Sequence, residues 1–177
     1  MSMIGNALLN EIIIENGNTQ VEKVLDIMRA HIIKTLEQND KEYQAIDGMD
    51  ITLINIDQKN KLLSFASGGH RMYLLRDGEC IDYKGDAFPV GYYYGKEKSF
   101  NLQEIIIHDG DTIYLTTDGF FDQFGGPNRK KFGLARFKEL ILENKSLDIK
   151  KQKRSFLHAF QQWKDDQNQI DDILVMG

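Results

Sequence analysis

Apolar residues recur at helical spacing from the start of the chain. Ile4, Leu8 and Ile12 share one stripe, and the spacing predicts a helix over residues 2–15 that Asn16-Gly17-Asn18 stops. A second stripe, Val21, Val24, Leu25, Met28, Ile32 and Leu36, predicts a longer helix, with Thr19 as its cap and Glu22 three residues on. After a polar linker at residues 38–42 the period changes to two. Residues 49–56, 62–65, 72–75 and 79–83 read as short consecutive strands of an antiparallel meander, with turns at residues 57–60 and at Asp77-Gly78. Asp-Gly is the stronger turn signal, because a two-residue hairpin needs positive φ at both positions. Residues 88–100 are aromatic and glycine-rich without a period and read as a loop, followed by strands at residues 104–107 and 112–117. Gly125-Gly126-Pro127-Asn128 breaks the chain. Two amphipathic helices follow, carrying Leu134, Phe137, Leu140 and Ile141, then Phe156, Leu157, Phe160 and Trp163, before a last strand at residues 173–176. Helices, then antiparallel strands, then helices and a closing strand describe an α+β fold rather than a βαβ repeat.

Two acidic sites stand out against this pattern. In Thr-Ile-Tyr-Leu-Thr-Thr-Asp-Gly, an apolar strand stops at Asp118, where the sheet fixes the carboxylate while its oxygens face outward. Asp171-Asp172 stand immediately before Ile-Leu-Val-Met. If the two strands are neighbours, Asp118 and Asp171 converge on a site suited to a hard divalent cation. Taken alone, Asp118-Gly119 is equally a turn, and Asp171-Asp172 are acids flanking a strand in solvent.

Composition narrows the classes. The chain has 177 residues, 41% hydrophobic and 28% charged, which fits one ordinary domain spanning residues 1–177. The balance of 22 basic and 27 acidic residues gives 22 − 27 = −5 and no basic stripe of the kind nucleic acid requires. Cys80 is the only cysteine, so no intramolecular disulfide forms. With neither a basic leader nor a run of about 20 apolar residues, the cytoplasm is the expected compartment.

Several motifs, in order, carry a family resemblance. Asp47-Gly48-Met49-Asp50-Ile51, Phe65-Ala66-Ser67-Gly68-Gly69-His70, Phe88-Pro89-Val90-Gly91, the Asp118-Gly119 strand end, Lys131-Phe132-Gly133 and Gln169-x-Asp171-Asp172-Ile173 span most of the chain. Together they resemble the metal-dependent serine/threonine protein phosphatases, in particular the bacterial SpoIIE-type branch. The resemblance implies an α/β/β/α sandwich of two antiparallel sheets flanked by helix pairs, with a manganese (Mn2+) or magnesium (Mg2+) centre at one end. It makes Asp118 and Asp171 metal ligands and catalytic residues, Asp172 a supporting residue and Gly119 a further candidate at the metal. A phosphoserine monoester is a slowly hydrolysing dianion, so its catalyst must neutralise charge and activate a water, and two cations side by side supply both. The substrate implied is a phosphorylated regulatory protein of the anti-sigma-factor antagonist type, and the domain is implied to sit behind a sensory or receiver domain.

The family also places an Asp-x-x-Gly-His-Gly motif before a helix like that at residues 1–15. Here the only Gly-His pair is Gly69-His70, preceded three positions earlier by Ala66. The domain is therefore expected to be N-terminally incomplete and to lack its first strands, so that it binds metal poorly, has little activity and is open to homodimer formation through uncovered strand edges. A non-catalytic, phosphatase-like binding or dimerisation module is the alternative of a different class. A kinase-type site does not fit, since no glycine-rich nucleotide loop precedes Asp118-Gly119-Phe120.

The remaining polar candidates have ordinary readings. His31, His70, His108 and His158 read as surface histidines. Asp122 either assists the site or sits at a helix start. Arg129-Lys130-Lys131 either attracts an anionic phosphoprotein or lines a solvated loop, and Tyr92-Tyr93-Tyr94 forms either a partner surface or the packing beneath a loop.

Overall fold

A computed structural model describes residues 1–36, 48–93 and 98–177 of the chain. The linker expected at residues 38–42, Asp47 of the first motif and Tyr94 lie outside them. The helices are α1 (Ser2–Leu9), which continues into a π-helical turn at Asn10–Glu15, α2 (Val21–Thr35), α3 (Gly119–Asp122), α4 (Leu134–Glu143) and α5 (Ile149–Lys164). The strands up to the middle of the chain are β1 (Gly48–Met49), β2 (Ile51–Asp57), β3 (Leu62–Gly68), β4 (Arg71–Arg76), β5 (Glu79–Lys84) and β6 (Val90–Gly91). Those that follow are β7 (Gln103–Ile106), β8 (Thr112–Thr116), β9 (Phe124–Gly125), β10 (Lys130–Lys131) and β11 (Val175–Met176). The pairings β1–β6, β2–β3, β3–β7, β4–β8, β8–β11 and β9–β10 are antiparallel, within two compact units, Met1–Arg71 with Lys84–His108 and Met72–Tyr83 with Asp109–Gly177. Among the described residues no helix is long and apolar enough to cross a membrane.

In the first unit, the stripe read from the sequence becomes the core. Val21, Val24, Leu25, Met28 and Ile32 of α2 join Leu8, Ile12, Ala66, Phe88, Val90 and Phe100 in one buried cluster. Burying each such aliphatic side chain contributes about 1.5–3 kcal/mol, which is why α2 is held by packing more than by propensity. The π-helical turn ends with Asn16 N–H donating to the Glu11 carbonyl at 3.0 Å, and Gly17, at φ 67°, turns the chain away. Thr19 does not cap α2. Gln20 occupies the cap position without a side-chain bond, and the Asn18 side chain accepts from the Gln20 N–H instead. Arg29 is buried, donating to the carbonyls of Gly91 at 3.1 Å and Lys98 at 2.8 Å, with its guanidinium 5.1 Å from the Phe88 ring centre. The sheet of this unit runs β2-β3-β7, and β1 pairs separately with β6.

The expected meander is thus split between two sheets. β3 pairs with β2 and β7, whereas β4 pairs with β8 and neighbours β5. The switch falls at Gly69, whose φ of 77° suits only glycine and whose Cα lies against the Asp50 carboxylate. The two expected turns hold. The Asp57 carboxylate accepts from the N–H groups of Lys59 and Asn60, and Asp77 and Gly78 both have positive φ, 50° and 80°.

The sheet of the second unit runs β11-β8-β4-β5. Tyr73 and Leu75 of β4 and Tyr114 of β8 meet Phe137, Leu140 and Ile141 of α4 and Phe156 and Phe160 of α5 in a second buried cluster. Phe120 sits among them, its ring centre 5.2 Å from those of Phe132 and Phe137 and 5.4 Å from that of Phe160. β9 and β10 form a small hairpin that the sequence pattern reads only as a chain break and a basic run.

Candidate metal site

The two acidic strand ends are neighbours. Val175 of β11 lies opposite Thr116 of β8 and Met176 opposite Leu115, so the residues that follow β8 face those that precede β11. Thr117 fastens the pair beyond the last ladder positions. Its N–H donates to the Leu174 carbonyl at 3.1 Å, and its hydroxyl donates to the Asp172 carbonyl and accepts from the Leu174 N–H, both at 2.9 Å. Asp118 and Asp171 are thereby brought to the same end of the same strand pair.

Asp118 stands at the N-cap position of α3 with helical φ and ψ of −73° and −20°, and its side chain makes no capping bond. Among the described residues nothing donates to its half-buried carboxylate, which leaves its lone pairs available. Asp171 is exposed. One of its oxygens accepts from the Asp172 N–H at 2.7 Å and its carbonyl accepts from the Gln169 amide at 2.8 Å, which fixes the residue at its base. Asp172 enters chiefly through its carbonyl, while its side chain points to solvent. Gly119 supplies the close fit. A Cβ there would stand 2.4 Å from the Asp172 carbonyl oxygen and 3.2 Å from the Asp171 Cβ, so only glycine lets the segments approach this closely.

The donors at this end of the sheet are carboxylate and carbonyl oxygens, the set preferred by Mg2+ or Mn2+ over softer metals. Their number is small. Among the described residues no three His, Cys, Asp or Glu side chains stand together as a metal cage. Asp118 and Asp171 therefore fit as part of a ligand set, with two negative charges that a cation would offset.

The other candidates are placed elsewhere. Asp122 is the last residue of the one-turn α3, not a helix start, and its carboxylate is 2.7 Å from Lys131 Nζ. That ion pair occupies both groups. Arg129 turns the β9–β10 hairpin at φ 47°, and Lys130 and Lys131 are exposed on it. His31 and His70 are half-buried and His108 and His158 exposed, and none joins a three-ligand group among the described residues. Tyr93 packs on Phe88 with ring centres 5.9 Å apart.

Two supporting residues, Thr117 and Gln123, escape a reading of the sequence. Thr117 looks like one more strand residue, yet its hydroxyl bridges both strands. Gln123 is completely buried, and Trp163 donates its indole N–H to the Gln123 carbonyl at 3.1 Å. The only signal for Gln123 is an amide set between aromatic residues on one side and a glycine pair on the other.

Against known proteins, the profile of the family described as Stage II sporulation protein E (SpoIIE) matches residues 1–177. No curated protein sequence matches the chain. Among solved structures, the SiaA-PP2C domain of Pseudomonas aeruginosa is similar with a TM-score of 0.86 and 25% identity, over 98% of this chain and 66% of that one. The RsbU and RsbW domains of Rv1364c from Mycobacterium tuberculosis share the fold at a TM-score of 0.70 and 21% identity, over 99% and 45% of the two chains. The catalytic domain of serine threonine protein phosphatase PstP, solved with two manganese ions, shares it at a TM-score of 0.64 and 20% identity, over 98% and 77%. The chain thus spans just under two thirds of the length of the SiaA-PP2C structure.

Proposed function

Because this chain belongs to the SpoIIE family of PP2C-like phosphatase domains, we propose that residues 1–177 are one such domain of a cytoplasmic signalling protein that hydrolyses phosphoserine or phosphothreonine with Mn2+ or Mg2+. The observation that supports this reading is the β8–β11 pairing, which brings the segments carrying Asp118 and Asp171 to the same end of a strand pair fastened by Thr117. The substrate proposed is a phosphorylated regulatory protein of the anti-sigma-factor antagonist type, with a sensory or receiver domain preceding this one in the full protein.

Asp118 and Asp171 would hold the cation through their carboxylates, with Asp172 in support and the Gly119 backbone alongside. A cation bound there supplies charge neutralisation for the phosphoryl group and lowers the pKa of a coordinated water. The chain's own part is orientation. The strand pair fixes the turn at Asp118, Gly119 spares the room in which the Asp171-Asp172 segment approaches that turn, and the Asp172 N–H holds one Asp171 oxygen.

A second reading, a phosphatase-like module that binds a partner or forms a homodimer, is favoured by the lack of a three-carboxylate cage among the described residues. For the same reason the 177-residue chain by itself is expected to hold metal weakly and turn over slowly. Hydrolysis of a phosphoserine peptide with and without Mn2+ separates the two readings. An enzyme gives Mn2+-dependent phosphate release that Asp118→Asn lowers by about 100-fold, the upper range for disturbing a metal's surroundings. Phosphate release indifferent to both the metal and the substitution would sink the metal assignment.

A further inference from the structure

Gln123 lies outside the set of groups that could touch a cation, yet it is completely buried and its amide is committed to one particular segment. Its side-chain N–H groups donate to the carbonyls of Phe124 at 3.0 Å and Asn168 at 2.9 Å. Its backbone carbonyl accepts from the Phe132 N–H at 2.9 Å and from the Trp163 indole at 3.1 Å, so the residue is pinned from two sides. Its side-chain oxygen, by contrast, is buried without a partner among the described residues. A methionine of similar volume would not carry that cost, so what the amide adds is its donors. Asn168 is three residues before Asp171. The Gln123 amide reaches this segment from 45 residues away, whereas the bonds on Asp171 itself come from its neighbours Gln169 and Asp172.

We propose that Gln123 is a positioning residue for Asp171, tying the segment that carries that carboxylate to the end of the turn that begins at Asp118. The inference rests on the metal reading above for its purpose and on hydrogen bonding alone for the tether. Asp118 is held by β8 and α3, and Asp171 by Thr117 on one side and Gln123 on the other. Loss of the amide frees the approach to Asp171 while leaving the β8–β11 pair formed.

The test compares Gln123→Met with Gln152→Met in the 177-residue chain. Gln152 is also a buried amide of this unit, bonded to Tyr114 and to the Leu147 carbonyl and not to residues 168–171. Two quantities are read: amide hydrogen exchange of residues 168–171 without metal, and the Mn2+ dissociation constant from titration. Gln123→Met is expected to raise exchange in that segment by about tenfold and the dissociation constant by about tenfold or more. Gln152→Met should leave both within about twofold at a comparable loss of melting temperature. Unchanged exchange in Gln123→Met overturns the tether, and equal effects from Gln152→Met reduce Gln123 to a general core residue. A parent chain that never titrates with Mn2+ overturns the metal reading and the purpose assigned to Gln123, while the exchange result still decides the tether. If Gln123→Met does not fold, Gln123→Leu, which removes the amide N–H donors and buries neither a charge nor a new donor, is held to the same two criteria.

Discussion

The Cα of Gly119 lies so close to Asp172 that a Cβ built on it would be 2.4 Å from the Asp172 carbonyl oxygen. In an isolated helix, alanine at such a position would be favoured over glycine by up to about 1 kcal/mol. Here the obstructing atom belongs to backbone that Thr117 holds on both sides, so it cannot yield cheaply. Gly119→Ala is expected to destabilise the domain by about 1–3 kcal/mol in urea unfolding. A variant as stable as the parent would mean that the β11 end of the pair is loose.

Phe120 and Phe121 are adjacent but unequal. Phe120 is 2% exposed and touches four other aromatic rings, whereas Phe121 is half-buried. Phe120→Ala should therefore cost about 3–5 kcal/mol, and Phe121→Ala clearly less. Matching denaturation midpoints for the two variants would contradict the packing described.

A Cβ at Gly125 would fall 1.8 Å from the Trp163 carbonyl oxygen, to which Gly126 donates its N–H at 2.9 Å. Gly125→Ala must push the hairpin away from the end of α5, at a cost of about 2–3 kcal/mol. Trp163 is the single tryptophan of the chain, so tryptophan fluorescence reports on the surroundings of this one side chain. A red-shifted emission is expected, and an unshifted spectrum at full stability would refute the contact.

Asp148 caps α5, and the Lys151 N–H that it accepts at 3.0 Å holds its carboxyl below the ordinary carboxylate value. A depressed folded-state pKa contributes stability above the unfolded value, about 3.9, and that contribution disappears as pH falls through the lower, folded value. Asp148→Ala should melt below the parent at pH 7, and the gap should close as the solution is acidified past that range. A gap constant down to low pH would show that the cap acts through shape rather than charge.

What the sequence discloses here follows from how local each cause is. The stripe of α2, the strand run ending at Asp118 and the Asp77-Gly78 turn depend on residues a few positions apart, and all are found where spacing places them. The neighbouring of β8 and β11 was legible only through the match of two acidic ends. The split of the meander at Gly69 was not, since strand choice there is fixed by a distant β7 and by the Asp50 carboxylate under the glycine. Two-residue strands such as β9 and β10 have no period to detect. Gln123 is hidden for a related reason, because its partners, Asn168 and Trp163, lie some 40 residues away.

Thr117 and Asp172 are 55 residues apart, with α4 and α5 between them. Closing so long a loop comes at an entropic penalty that forming α4 and α5 locally does not repay. A cation held by both carboxylates would thus bind only where the chain's middle and its end have met, and its uptake would mark that closure.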